Sequence, residues 1–308
     1  MNRGVGLDWS YQKSESLTLN PKPLHPVIYL NKTMLEATKA RVAPVSSAML
    51  YGRGIFTTLA IYNSKPFCWR NHWERLSAHA EKLDIDLSGC TQKSVGEALR
   101  KLIAVNTVKD GRARVILLAR SGRESWRTKS PGTKKTDLLI MTGDVHPVPN
   151  DGLSLAVSPY RINTSSPLTG IKSLNYLDRI LSREEARARD FDEAVVLNER
   201  GEIVSATTAN IFWAKNGTVH TPNVSTGVVA GITRANVIEI AAKHFIPVVE
   251  GVYEIGDLTD ADEIFLTSSV VGVAPVTTFD FRRYAIERGS VVGIIRDAFG
   301  KLIARGAA

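Results

Sequence analysis

The chain is broken near its middle by Gly143-Asp-Val-His-Pro-Val-Pro-Asn-Asp-Gly152, a run whose turn formers leave no room for a helix or a strand. Any sheet has to be completed on one side of this run or the other, so it reads as a domain linker. With 308 residues, the chain then divides into two domains of ordinary size. The expected parts are an N-terminal extension over 1–27, a smaller α/β domain over 28–146 and a larger domain over 147–308.

On both sides of the linker, short β-branched runs alternate with amphipathic helical ones, and the expected class is α/β (α+β). Pro26-Val-Ile-Tyr-Leu30 reads as a strand with Asn31-Lys32 as its turn, and Asn63-Ser64 as a hairpin turn into Lys65-Pro-Phe-Cys-Trp69. His72–Leu83 is predicted as a helix, with Leu76, Ala80 and Leu83 on one face, and Thr91–Asn106 as a second helix. Arg114–Ala119 and Asp137–Thr142 are predicted strands. Beyond the linker, strands are expected at Leu153–Ser158, Glu193–Leu197, Asn210–Ala214, Val248–Val252 and Glu263–Leu266. Helices are expected at Leu177–Arg189, Ala235–His244 and Val291–Ala304.

Composition removes several classes of function. Hydrophobic residues are 44% of the chain, enough for a substantial core, and no apolar run has the length of a membrane span. The N-terminus carries no signal-peptide pattern, and Cys68 and Cys90 lack metal spacing, which together predict a reduced, cytoplasmic setting. Six scattered histidines form no metal motif, so no metal is expected. The formal charge of +8 suits a phosphorylated or carboxylated small ligand. Its one dense cluster, Arg123 to Lys135, reads as a solvated loop, and no nucleic-acid-binding signature accompanies it.

Three places carry candidate chemistry. Lys172 lies in Gly170-Ile-Lys-Ser-Leu-Asn-Tyr176, with apolar Ile171 and Leu174 close by. A solvated lysine at a loop-to-helix junction is the commoner case for such a stretch. A desolvated one loses its proton more readily and can form a Schiff base with an aldehyde. Arg75 sits beside the apolar stripe of its helix, either as a surface arginine or as an anion clamp. Thr233, in Gly231-Ile-Thr-Arg234, is expected to cap a helix, and a helix start is also a ready phosphate site. Gly52-Arg-Gly54 is too short for a dinucleotide fingerprint.

Seven pieces, in order over about residues 28 to 280, together resemble the class IV pyridoxal-phosphate enzymes. They are Tyr51-Gly-Arg-Gly-Ile-Phe-Thr-Thr, His72-Trp-Glu-Arg-Leu76, Lys172-Ser-Leu-Asn-Tyr176, Asn210-Ile-Phe, Thr221-Pro222, Gly231-Ile-Thr-Arg234 and Thr267-Ser-Ser. This family includes branched-chain and D-amino acid aminotransferases and aminodeoxychorismate lyase. The resemblance implies a two-domain fold with pyridoxal 5'-phosphate at the domain interface, in a homodimer. It implies that Lys172 holds the cofactor aldehyde and moves protons, and that Arg75, Ile232, Thr233, Ser269 and Ser268 bind the phosphate. Tyr176 would stand near the ring oxygen and Tyr51 in the substrate pocket.

The departures from the family pattern are informative. Ser205 stands where members carry the glutamate that keeps the pyridine nitrogen protonated, and a neutral hydroxyl cannot hold that proton by charge. Glu202 is close in sequence, but strand alternation turns it to the opposite face. Arg53 replaces an aspartate. Thr57 replaces a glutamate, and Phe56-Thr57-Thr58 is similar to the lyase branch. Arg114 and Arg120, at the two ends of one strand, are candidates to meet an anionic substrate. The most specific expectation is an aminodeoxychorismate lyase-like enzyme that releases pyruvate and leaves 4-aminobenzoate. The alternatives are a branched-chain or D-amino acid aminotransferase, and a pyridoxal-phosphate binder with weakened catalysis.

Overall fold

A computed structural model describes residues 24–120, 135–145, 148–149, 152–285, 287 and 289–306. Most of the expected N-terminal arm, most of the basic loop and part of the expected linker lie outside these residues.

The first half builds a six-stranded antiparallel sheet. Its strands are β1 (Val27–Leu30), β2 (Thr33–Glu36), β3 (Gly54–Tyr62), β4 (Lys65–Pro66), β5 (Gly111–Ala119) and β6 (Thr136–Gly143), in the order β2-β1-β6-β5-β3-β4. Helices α1 (Ser47–Tyr51), α2 (Trp69–Lys82) and α3 (Gln92–Val105) complete it. The sheet is two-faced because strand side chains alternate. Ile55, Leu59 and Ile61 of β3, with Ala113, Val115 and Leu117 of β5, join Leu76, Leu99 and Leu102 in one core. Fully burying such a side chain is worth about 1.5–3 kcal/mol. The intervening residues of β3 and β5 turn the other way, among them Phe56, Thr58, Arg112 and Arg114, and these line a cavity.

The second half builds a sheet from β7 (Leu153–Ile162), β8 (Glu193–Asn198), β9 (Ile203–Ala206), β10 (Asn210–Lys215), β11 (Thr218–Pro222), β12 (Val248–Gly251), β13 (Glu263–Ser268), β14 (Gly272–Phe279) and β15 (Arg282–Arg283). The order is β12-β11-β10-β13-β14-β7-β8-β9, with β15 paired to β14. Helices α4 (Leu177–Ala188), α5 (Ile232–Lys243), α6 (Ile255–Thr259) and α7 (Val291–Ala304) accompany it. Phe212 and Phe265 stack at 5.0 Å between centroids and pack in one cluster with Val237, Ile240 and Phe299 of α5 and α7. Among the described residues, no helix is long and apolar enough to cross a membrane.

Several local expectations shift. The run Lys65–Trp69 is a strand for only two residues, because Cys68 adopts a left-handed conformation (φ +52°) and α2 starts at Trp69. Thr233 is not a cap: α5 begins at Ile232, and Gly231 is the N-cap with no side-chain bond. β14 passes through Pro275, a residue that argues against a strand in sequence. Pro275 precedes the point where β7 joins at Val276, so no N–H is needed from it on that side.

The two halves meet at Lys172. Phe56 N donates to the Lys172 carbonyl at 3.0 Å, and Leu174 N to the Gly54 carbonyl at 2.9 Å. The loop between β7 and α4 thus borrows the edge of β3, pairing Ser173 with Ile55. Gly54 permits this approach, since a Cβ there would lie 2.5 Å from Leu174 and 2.9 Å from the Leu117 carbonyl.

Candidate active site

The cavity between the two sheets has a volume of about 1050 Å³. Lys172, Arg75, Arg114 and Tyr176 reach it from the helices, loops and first sheet. Ser205, Ile232, Thr233, Ser268 and Ser269 reach it from the second half.

Lys172 is held by its backbone and freed at its tip. Its N–H donates to Nδ1 of His79 at 3.1 Å. Burial, then Arg75 and Lys82 and lastly Lys172, pull His79 down to about 4, so the imidazole is neutral and keeps this acceptor at neutral pH. The Lys172 Nζ lies 4.6 Å from the centre of the Phe56 ring and 5.2 Å from that of Tyr176. Burial, followed by Arg75, Arg114 and Arg179, lowers the amine to about 7. A substantial fraction is therefore unprotonated at neutral pH and able to attack a carbonyl.

A chain of hydrogen bonds runs to Ser269. Arg75 Nη2 donates to Thr57 Oγ1 at 3.1 Å, and Arg75 Nη1 donates to the Ala230 carbonyl at 3.0 Å. Thr57 Oγ1 lies 2.6 Å from Nδ1 of His72, and His72 Nε2 lies 3.3 Å from Ser269 Oγ. Arginine cannot accept, so Thr57 accepts from Arg75; its oxygen keeps a second lone pair and a proton, either of which meets Nδ1 according to the tautomer of His72. Burial, Arg75 and Lys172 hold His72 well below the ordinary imidazole range, so it is neutral and carries one ring hydrogen. Ser268 is already engaged, accepting from the N–H groups of Val270 and Val271.

These groups suit a phosphate. The first N–H groups of α5 have no intrahelical acceptor, and Gly231 offers no capping side chain. Gly231 cannot be larger, because a Cβ would fall 2.0 Å from Asn210 Oδ1. Thr267 Oγ1 is buried without a hydrogen-bond partner among the described residues and borders the same cavity. A free lysine amine, a helix start, a guanidinium and a serine hydroxyl together fit an aldehyde that carries a phosphate arm.

The family model described as amino-transferase class IV matches residues 54–279. The chain belongs to the class IV aminotransferases. Members use pyridoxal phosphate, and this chain is an enzyme of that class. It is 29% identical over 281 residues to an aminodeoxychorismate lyase of Bacillus subtilis, covering 90% of this chain and 94% of the relative. It is 28% identical over 283 residues to a D-alanine aminotransferase of Listeria monocytogenes, covering 90% and 96%. A branched-chain aminotransferase structure from Thermoproteus uzoniensis superposes with a TM-score of 0.84 at 27% identity, covering 92% of this chain and 96% of that one.

Three sequence candidates for this class IV site lie elsewhere. Thr57 is fully buried behind the cavity wall, where it serves Arg75 and His72. Arg120 lies past the end of β5 and pairs with Asp137 at 3.3 Å. It shares Arg114's parity, but six residues of strand, roughly 20 Å, separate them. Tyr51 ends α1 with 62% of its surface exposed and does not line the cavity. Glu202 does not reach Ser205 and instead binds Asn198 and Arg200. Sequence reasoning missed Arg112, Arg179, His72 and His79. Alternation on β5 offered Arg112 once Arg114 was considered, and His72 opened a quoted motif. Nothing local in the sequence announces Arg179 or His79.

Proposed function

We propose that this enzyme is aminodeoxychorismate lyase-like, acting on an amine that carries two carboxylates and releasing pyruvate. The observation that carries this reading is the use made of Phe56-Thr57-Thr58. Thr58 Oγ1 accepts from Arg114 Nε at 3.1 Å, while the Arg114 guanidinium lies 4.6 Å over the Phe56 ring. Thr57 serves Arg75 from the opposite face of the strand. One tripeptide therefore fixes two guanidiniums, one for the cofactor phosphate and one for substrate. Arg112 lines the same wall. A cationic wall suits carboxylates better than the apolar side chain of a branched-chain amino acid.

Pyridoxal phosphate, when bound, supplies the electron sink for the substrate's amine carbon. Arg75, Ile232, Thr233 and Ser269 would hold its phosphate, with Tyr176 beside the ring. Lys172 would hold its aldehyde, remove the proton from the carbon bearing the amine, and return a proton as pyruvate leaves. The neighbouring carbon–oxygen bond breaks with its electron pair going to the enolpyruvyl oxygen, and the ring becomes aromatic as 4-aminobenzoate.

The test is pyruvate release from aminodeoxychorismate without any 2-oxo acid. Release is expected, and Arg114→Leu should raise KM by roughly 10-fold, the loss of one charge-assisted hydrogen bond. No release, together with amino transfer to a 2-oxo acid, would establish the second reading, a branched-chain or D-amino acid aminotransferase. That reading draws on the D-alanine aminotransferase relative, which is 28% identical to this chain against 29% for the lyase.

We also propose a homodimer, with a domain boundary between β6 and β7. Met49, Leu50 and Tyr51 of α1 and Leu177, Ile180 and Leu181 of α4 are exposed apolar side chains that a second copy would cover. Tyr51 would then enter the partner's site. Light scattering should give the mass of two chains; a monomer at micromolar concentration would reject the proposal.

A further inference from the structure

Arg179 of α4 and Ser205 of β9 form a polar group at the cavity, separate from the chain that links Arg75 to Ser269. Arg179 Nη1 donates to Ser205 Oγ at 2.7 Å and to the Ala206 carbonyl at 3.2 Å. A guanidinium has no lone pair to offer, so Ser205 is the acceptor in this bond. Its own hydrogen therefore points elsewhere. Among the described residues Ser205 Oγ has no second partner, and it is buried at the cavity wall.

The charges around this pair decide what it can face. Arg179 lies in the field of Tyr176, Glu193 and Asp178, and burial lowers its hold on a proton. Guanidinium nonetheless stays charged at neutral pH. Arg183 lines the cavity one helical turn away. Glu193 is the buried carboxylate nearby, and it is already engaged. It accepts from the N–H groups of Ala194 and Thr207 and from the hydroxyls of Thr207 and Thr208. Asp178, in the first turn of α4, is exposed and also borders the cavity. Tyr176 donates its hydroxyl to the Thr207 carbonyl. Glu193 Oε1 takes three of its bonds and Oε2 one, and no carboxylate among the described residues is hydrogen-bonded to Ser205.

In pyridoxal phosphate the aldehyde and the phosphate arm stand on neighbouring ring carbons, and the nitrogen is opposite the aldehyde. With the aldehyde at Lys172 and the phosphate at Arg75, Ser269 and the α5 start, the nitrogen faces away from both. We propose that Arg179 and Ser205 hold the cofactor's ring nitrogen in its unprotonated form, Ser205 donating its hydroxyl hydrogen to the nitrogen lone pair and Arg179 repelling a pyridinium. This rests on the cofactor reading, but not on the choice of lyase over transaminase. A neutral pyridine withdraws electrons less strongly. A reaction drawn forward by making an aromatic ring tolerates that better than reversible amino transfer, so the pair sets the enzyme's preference between reaction types.

The experiment reconstitutes the protein with pyridoxal phosphate carrying ¹⁵N in the ring and reads the nitrogen resonance. The wild type should resonate in the range of unprotonated pyridine, and Arg179→Lys, which keeps the charge, should leave it there. Arg179→Gln combined with Ser205→Glu should move it to the pyridinium range. A pyridinium resonance in the wild type, with its visible absorbance band intact, overturns this proposal alone. An unmoved resonance in a double variant that still binds the cofactor also overturns it, because the pair would then lie away from the nitrogen. A wild-type protein that develops no visible band with pyridoxal phosphate overturns the cofactor reading, and this proposal with it.

Discussion

Lys172→Ala is expected to remove the lysine-bound absorbance of the enzyme and to lower turnover by at least on the order of 10²–10⁴-fold, the range for losing a positioned proton-transfer group. The amine sits against the Phe56 and Tyr176 rings, and the surrounding guanidiniums reinforce its burial in pulling it to about 7. Reaction of the cofactor-free protein with pyridoxal phosphate should therefore rise as pH passes through about 7. The same placement has a sign for stability. In the unfolded chain a lysine titrates near about 10.4. Between about 7 and that value the unfolded chain binds a proton that the folded chain does not, so the cofactor-free protein gains stability as pH rises through this window. Below it, the folded state carries the full penalty of a buried charge. Lys172→Met should be more stable than the native chain there and should flatten the slope. A denaturant series at several pH values checks this, and an unchanged slope would show that the lysine is not the source.

The second large effect is expected from Arg75→Met, which should weaken pyridoxal phosphate binding by roughly 10- to 100-fold, as for a lost hydrogen bond to a charged group. Three things fail together. The guanidinium leaves the phosphate, Thr57 loses the donor that orients it, and Ala230, just before the α5 start, loses its tether. Burial lowers Arg75 only to about 10, so it remains a cation at neutral pH. Turnover at saturating cofactor should fall much less than affinity does. Titration by absorbance separates the two, and an equal loss in both would mean that Arg75 positions the reacting atoms. Arg75→Lys should recover only part of the affinity, because an ammonium lacks the fork that serves Thr57 and Ala230 at once.

The parts of the site that could be read in the sequence are those whose chemistry is local. A helix start preceded by glycine, an arginine beside the apolar stripe of its helix and a lysine among apolar neighbours each carry their meaning within a few residues. What stayed hidden depends on pairs distant along the chain. Arg179 reaches Ser205 across 26 positions, and Ser269 reaches His72 across 197. Arg120 was misplaced for the opposite reason: parity along a strand says which face a side chain takes, but not whether the cavity extends that far. The cap expected at Thr233 failed because glycine served instead, which leaves the helix start open to a ligand.

The lysine's seat has a mechanical consequence. Lys172 and its neighbours are stitched to β3 by the Phe56 and Leu174 amides, so the nucleophile belongs to both halves of the molecule. A clamshell motion that parted the two sheets would tear out this seam and carry the amine away from the phosphate cradle. Access to the site that keeps the amine in place has to leave these two backbone bonds intact.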